Sequence, residues 1–155
     1  MTIAAVIREH DALAREFCDA RDVEEARLRA ERPAPPSPGP PPWADNPSKP
    51  VDDAERAWYR VNDAWHRYLD AAFDDTEAVP HVAALQARMD ELATRAWSMI
   101  DAQSPARLGP VYGLAPCPMC GSHCETVPPT ATRSAMLGVC EADDSHVVEW
   151  LPWGG

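Results

Sequence analysis

Basic charge is what this chain has least of. Lysine occurs once, at Lys49, and the 14 basic residues face 25 Asp+Glu, a formal net of −11. Phosphate neutralisation needs Lys or Arg, so the deficit argues against direct binding of DNA, RNA or an anionic membrane. Long apolar runs are missing too. Nothing approaches the roughly 18 residues needed to cross a bilayer, and a membrane-spanning role is not expected. The first twenty residues carry Arg8, Glu9, Asp11, Arg15 and Glu16, which leaves no signal-peptide core. A cytoplasmic location is therefore expected. No phosphate-binding glycine loop, G-x-S-x-G or H-E-x-x-H motif occurs, so the expectation is that the chain is not an enzyme.

What is present divides the chain into four parts. The thirteen arginines and abundant alanine indicate a GC-rich coding genome, bacterial or phage. Residues 1–32 form an N-terminal helix, with Thr2 as its cap and Ile3, Val6, Ile7, His10, Leu13 and Phe17 as an apolar stripe. Asp22 and Glu25 resemble a capping box, where the helix could break or restart, and Cys18 is expected as a small buried hydrophobe. Residues 33–51 are a Pro-rich linker in which nine of the first eighteen positions are proline. Proline has no amide donor and a fixed φ, so this stretch reads as a stiff spacer of polyproline II character, with Trp43 able to anchor it on a helix.

Residues 52–104 read as an antiparallel helical hairpin. Asp52 and Glu55 cap a helix over 53–73, with Ala54, Trp58, Val61, Trp65, Tyr68, Leu69 and Ala72 as its stripe. The aromatic members are expected in a core, not in a binding groove. Asp74, Asp75 and Thr76 should end that helix. Another starts near Pro80, is lined by Val82, Leu85, Met89, Leu92, Ala96, Met99 and Ile100, and is stopped by Pro105. With the first helix this makes a helical hairpin or three-helix bundle. The hairpin region has net charge −6, more than half of the total.

Four of the five cysteines lie within residues 117–140. In a reducing compartment clustered cysteines read as metal ligands before disulfides. Pro116-Cys117-Pro118-Met119-Cys120-Gly121 is the strongest signal. A Cys-x-x-Cys-Gly turn aims two thiolates at one metal, and its glycine tolerates the positive φ that the turn requires. This segment resembles the knuckle of rubredoxin-like folds and zinc ribbons, over residues 114–153 only. The resemblance implies a second ligand pair at the end of a returning strand, where Cys140 and His146 stand, with five residues between them instead of the usual two. It also implies a structural Zn²⁺ held by Cys117, Cys120, Cys140 and His146, since Cys₃His suits a redox-inert tetrahedral ion.

His123 and Cys124 compete for the fourth position. They follow Cys120 too closely for a knuckle of their own, and strand alternation sends them to opposite faces. Expected strands lie at 124–127, 136–140 and 147–151, with a turn at 128–132. Trp150 and Trp153 should cover one face of the zinc-ribbon module or dock it on the helices. His123-Cys124-Glu125 and Pro116-Cys117-x-x-Cys120 are both halves of the zinc-deaminase signature, but in reversed order and nearly adjacent, so a deaminase is not expected. The terminal Gly154-Gly155 resembles ubiquitin-like tails, whose β-grasp fold the rest of the sequence does not support.

The fold class expected is thus mainly α with a small β zinc module. The expected function is a non-enzymatic adaptor or regulator with a protein partner, homo-oligomerising through its helices. Two other roles stand beside it: association with transcription or replication machinery, and an acidic inhibitor occupying a nucleic-acid site on a target protein.

Overall fold

A computed structural model of the chain describes residues 1–44, 52–103 and 106–151. The expectations for Pro105, Trp153, Gly154, Gly155 and the end of the Pro-rich linker fall outside these residues. Three helices, α1 (Ile3–Glu31), α2 (Asp53–Glu77) and α3 (Pro80–Gln103), precede four strands, β1 (Arg107–Tyr112), β2 (Cys124–Thr126), β3 (Leu137–Cys140) and β4 (Val147–Leu151). The protein is therefore mainly α with a small β module. It divides into two compact units, Met1–Cys18 with Ala84–Gly155, and Asp19–Ala83.

The first unit holds the sheet, in the order β1-β4-β3-β2. β2, β3 and β4 are joined antiparallel, and β1 runs parallel to β4. Its core combines Ile3, Val6 and Ile7 of α1 with Leu92, Ala96, Trp97 and Ile100 of α3, against Val127, Leu137, Val139 and Val147. A helix stripe of period 3.6 meets alternate strand residues of period 2, so each element contributes one face. The sheet is thus not a free-standing ribbon. Trp97 donates its indole N–H to Pro128 O at 2.9 Å. Arg133 stacks over the Trp97 ring at 4.2 Å and pairs with Asp101 at 2.5 Å, which ties the 128–133 turn to α3.

The start of α1 is held twice. Thr2 Oγ1 accepts from Ala5 N at 3.1 Å, the cap expected from the sequence. Ile3 N donates to both Asp144 carboxylate oxygens, at 3.1 and 2.9 Å. A carboxylate at a helix N-terminus satisfies an orphan donor and complements the dipole, worth roughly 0.5–2 kcal/mol. Burying Ile3, Val6 and Ile7 at about 1.5–3 kcal/mol each outweighs it, so packing holds the helix and Asp144 sets where it begins.

α1 runs unbroken from Ile3 to Glu31, as expected for the N-terminal helix, and the capping-box pattern at Asp22 and Glu25 does not interrupt it; there Arg27 bridges Glu24 and Glu31 at 2.8 and 2.9 Å and Arg29 pairs with Glu25. Several expectations are corrected. Cys18 is exposed, not buried. The fully buried part of the α1 stripe ends at Ile7, and Leu13 packs at the edge of the core, so no apolar environment reaches Cys18. α2 does not stop before Asp74. Its helix runs on to Glu77, with Thr76 buried and its hydroxyl donating to Ala72 O at 2.7 Å. β1 was not foreseen. Gly109-Pro110 lies inside it, and such a pair argues against a strand unless a bulge absorbs it. The register does shift between Leu108 and Val111, and Gly109 has φ +112°.

In the second unit Asp52 caps α2 as expected, accepting from Glu55 N at 3.0 Å. Trp43 lies edge-on to Trp58 at 5.1 Å and stacked on Tyr59 at 5.3 Å, while the Trp58 indole donates to Gly39 O. Trp43 thus anchors the proline-rich segment on α2. Trp58, Trp65 and Tyr68 are half-buried, short of the core position expected for them. The reason is that proline-rich chain and α1 backbone cover them: the Tyr68 hydroxyl donates to Arg29 O at 3.1 Å.

Gly138 lies under the Trp150 ring, where an added Cβ would meet ring carbons at 2.5 Å. Gly138→Ala should therefore destabilise the protein by about 1–3 kcal/mol in urea titrations, as overpacking does. Asp144→Ala should cost about 1 kcal/mol and fray the first turn of α1, which amide hydrogen exchange would locate at residues 3–5.

Candidate metal centre

Each candidate ligand is placed by a different local device. The knuckle closes through Gly121 N to Cys117 O at 2.8 Å and Cys117 N to Ser122 O at 2.9 Å. Gly121 has φ +73° with open space around its missing Cβ, so the backbone angle and not crowding demands glycine. Cys140 ends β3. The β3–β4 ladder pairs Val139 with Val147, and one rung further Cys140 N donates to His146 O at 3.0 Å. Residues 140 and 146 therefore stand opposite each other across two strands. That is how a five-residue gap delivers a ligand pair that a standard knuckle delivers with two.

The intervening loop is ordered by its own side chains. Asp143 accepts from Ser145 N at 2.9 Å and from the Ser145 hydroxyl at 2.7 Å, and His146 N donates to Asp143 O at 3.0 Å. The next residue, Asp144, holds the start of α1. His146 turns Nδ1 toward Cys117 Sγ at 3.7 Å, while Nε2 lies 3.7 Å from Asp143 Oδ2. A carboxylate on the far side of a ligating imidazole favours the tautomer that leaves the near nitrogen free for metal.

The structure brings Cys117, Cys120, Cys140 and His146 together, with all four donor atoms within 4.8 Å of one another. Cys120 Sγ and Cys140 Sγ are 3.4 Å apart. Tetrahedral thiolate coordination at ~2.3 Å puts sulfurs about 3.8 Å apart. The observed spacing fits one small ion at the centre. Cys117 and Cys140 are buried, Cys120 is exposed and His146 is half-buried, so the donors converge from the sheet outward.

The competitors divide as strand alternation predicts. His123 points to solvent, with Nε2 3.6 Å from Glu125 Oε2, and is not part of the cluster. Cys124 is buried beside Cys117, Cys140, Val148 and Trp150, yet its sulfur does not join the four. Trp150 covers this side of the module, as expected, and is 3% exposed.

Electrostatics separate the thiols. Hydrogen bonds from the Ser122 side chain and backbone hold Cys120 at about 6, down from 9.0. Burial pushes Cys124 up to about 12, with the charges of Cys117 and Cys140 adding to it. Burial also raises Cys140, opposed by the Ala142 and Asp143 amides, which aim at its sulfur as knuckle amides do. Ser145 hydrogen bonds lower Asp143.

Compared with protein-family models, with curated proteins and with solved structures, the chain matches none. The chemistry of the donor set is therefore the guide to what the site holds.

Thiolate is the reactive form, present above a thiol's pKa. In a brief iodoacetamide pulse at pH 7.5 on metal-stripped protein, Cys120 should be the first of the four sheet cysteines to be alkylated and Cys124 the last. Peptide mass spectrometry reads the order.

Proposed function

We propose that the site is a structural Zn²⁺ centre and that the chain is a non-enzymatic adaptor or regulator acting through a protein partner. The observation that carries the metal reading is the closed Cys₃His set. Three sulfurs and one imidazole nitrogen within 4.8 Å of one another suit zinc, and four protein donors leave no position for water or substrate. When bound, the ion would tie the 117–122 knuckle to the β3–β4 ladder. Cys117 and Cys120 would hold it from the knuckle, Cys140 from β3, and His146 from the residue before β4.

The interaction reading rests on charge and surface. A net of −11 leaves little to attract phosphates, and three thiolates with one dication would make the module more negative still. Arg107 and Arg133 are its basic residues, and Arg133 is engaged by Asp101 and Trp97. Leu114 and Met119, beside and within the knuckle, are 70% and 63% exposed, which favours a protein contact over a nucleic-acid one.

Elemental analysis should give one zinc per chain. Cys117→Ser should weaken zinc at least tenfold in competition with a chromophoric chelator, and disorder residues 116–122. Zinc retained at wild-type affinity in that variant, or in His146→Ala, would overturn the ligand set. A pull-down from the native host that recovers no protein partner would overturn the interaction reading.

A further inference from the structure

Cys124, the one cysteine of residues 117–140 outside the donor set, has a second feature besides burial. It is the cross-strand partner of Cys140. The rungs on either side fix the kind of pair. Val127 N donates to Leu137 O at 2.8 Å, and Glu141 N donates to His123 O at 3.0 Å. In the same register these are pairs 127/137 and 123/141, both hydrogen-bonded. Antiparallel pairs alternate, so 124/140 is a non-hydrogen-bonded pair, the kind whose Cα atoms approach to about 4.5 Å. That lies within the ~4.4–6.8 Å range that a disulfide spans without backbone movement. Cys124 also borders a cavity of about 350 Å³, which gives its side chain room to turn.

We infer that Cys124 and Cys140 form the resting disulfide of an oxidised state, entered through Cys120 and driven by a peroxide. Cys120 is the exposed thiol of the cluster. Its sulfur attacks the peroxide O–O bond; an S–OH bond forms, the O–O bond breaks, and the departing hydroxide takes a proton and leaves as water. Cys140 Sγ, 3.4 Å away, then attacks Cys120 Sγ. An S–S bond forms, the S–OH bond breaks, and a second water leaves. Cys124 next attacks Cys140 Sγ while its proton passes to the departing Cys120 sulfur, so the 124–140 S–S bond forms, the 120–140 S–S bond breaks and Cys120 is left as a thiol. Overall two thiols give up two electrons to one peroxide and yield one disulfide and two waters. The end state keeps the β2–β3 register and removes Cys140 from the ligand set, so any bound metal is released. Only this metal-release step rests on the zinc reading; the pairing stands on register alone.

The test treats the full-length purified protein with stoichiometric hydrogen peroxide. Zinc release is followed with a chromophoric chelator and disulfides are mapped by non-reducing trypsin digestion. Cleavage after Arg133 separates Cys140 from Cys117, Cys120 and Cys124, so a link to Cys140 joins two peptides, and tandem mass spectrometry assigns its partner. The expected result is a Cys124–Cys140 link in most chains with one zinc released, both reversed by thiol reductant and added zinc. In Cys124→Ser the link should stop at Cys120–Cys140. A wild-type product linked Cys117–Cys120 or Cys120–Cys140, or sulfinic acid at Cys120 without a disulfide, would overturn the proposal. Protein that carries no zinc at the outset yet maps to Cys124–Cys140 would sink the metal reading and leave the pairing intact.

Discussion

Most of the chemistry of this protein hangs on the register of β3. Its last residue, Cys140, is paired on one side with Cys124 of β2 and stands on the other opposite His146, just before β4. A slip of one residue would turn Cys140 to the opposite face, part it from Cys117 and Cys120, and place Val139 where a ligand belongs. The register is held by burial: all four β3 residues are buried, and Gly138 admits the Trp150 ring. Apolar packing on one face of the sheet thus positions the donor atoms of the metal centre.

The same loop serves site and core. Asp143 shapes the turn that presents His146, and its neighbour Asp144 receives the first amide of α1. α1 in turn contributes Ile3, Val6 and Ile7 to the core that α3 and the sheet share. The Cys/His cluster is therefore continuous with the helical core of its unit, unlike a free-standing ribbon, which would need a metal for most of its stability. Residues 118–121 of the knuckle are exposed, whereas Leu137, Val139 and Val147 are packed in the core.

Much was legible locally. Thr2 and Asp52 are caps because a short oxygen-bearing side chain can reach an amide two or three residues on. The Cys-x-x-Cys-Gly turn is legible for the same reason, as all its atoms lie within six residues. Alternation sent His123 and Cys124 to opposite faces, and the structure puts His123 in solvent and Cys124 in the interior. The failures share a cause. β1 contains Gly109-Pro110, and only its pairing with β4 makes a strand of it. Cys18 lies on an apolar-looking stretch that outruns its core. Asp74, Asp75 and Thr76 read as a stop, but the buried Thr76 satisfies its own hydroxyl on the helix.

By itself the sequence determined the three helices, the knuckle and the four donor types, because caps, periodicity and tight turns depend on neighbours along the chain. Only the tertiary structure decided that five residues between Cys140 and His146 bring two donor side chains face to face, and that Cys124 lies beside the cluster without entering it. Both follow from which strand pairs with which and in what register, a choice made by the shared apolar core and not by any one segment.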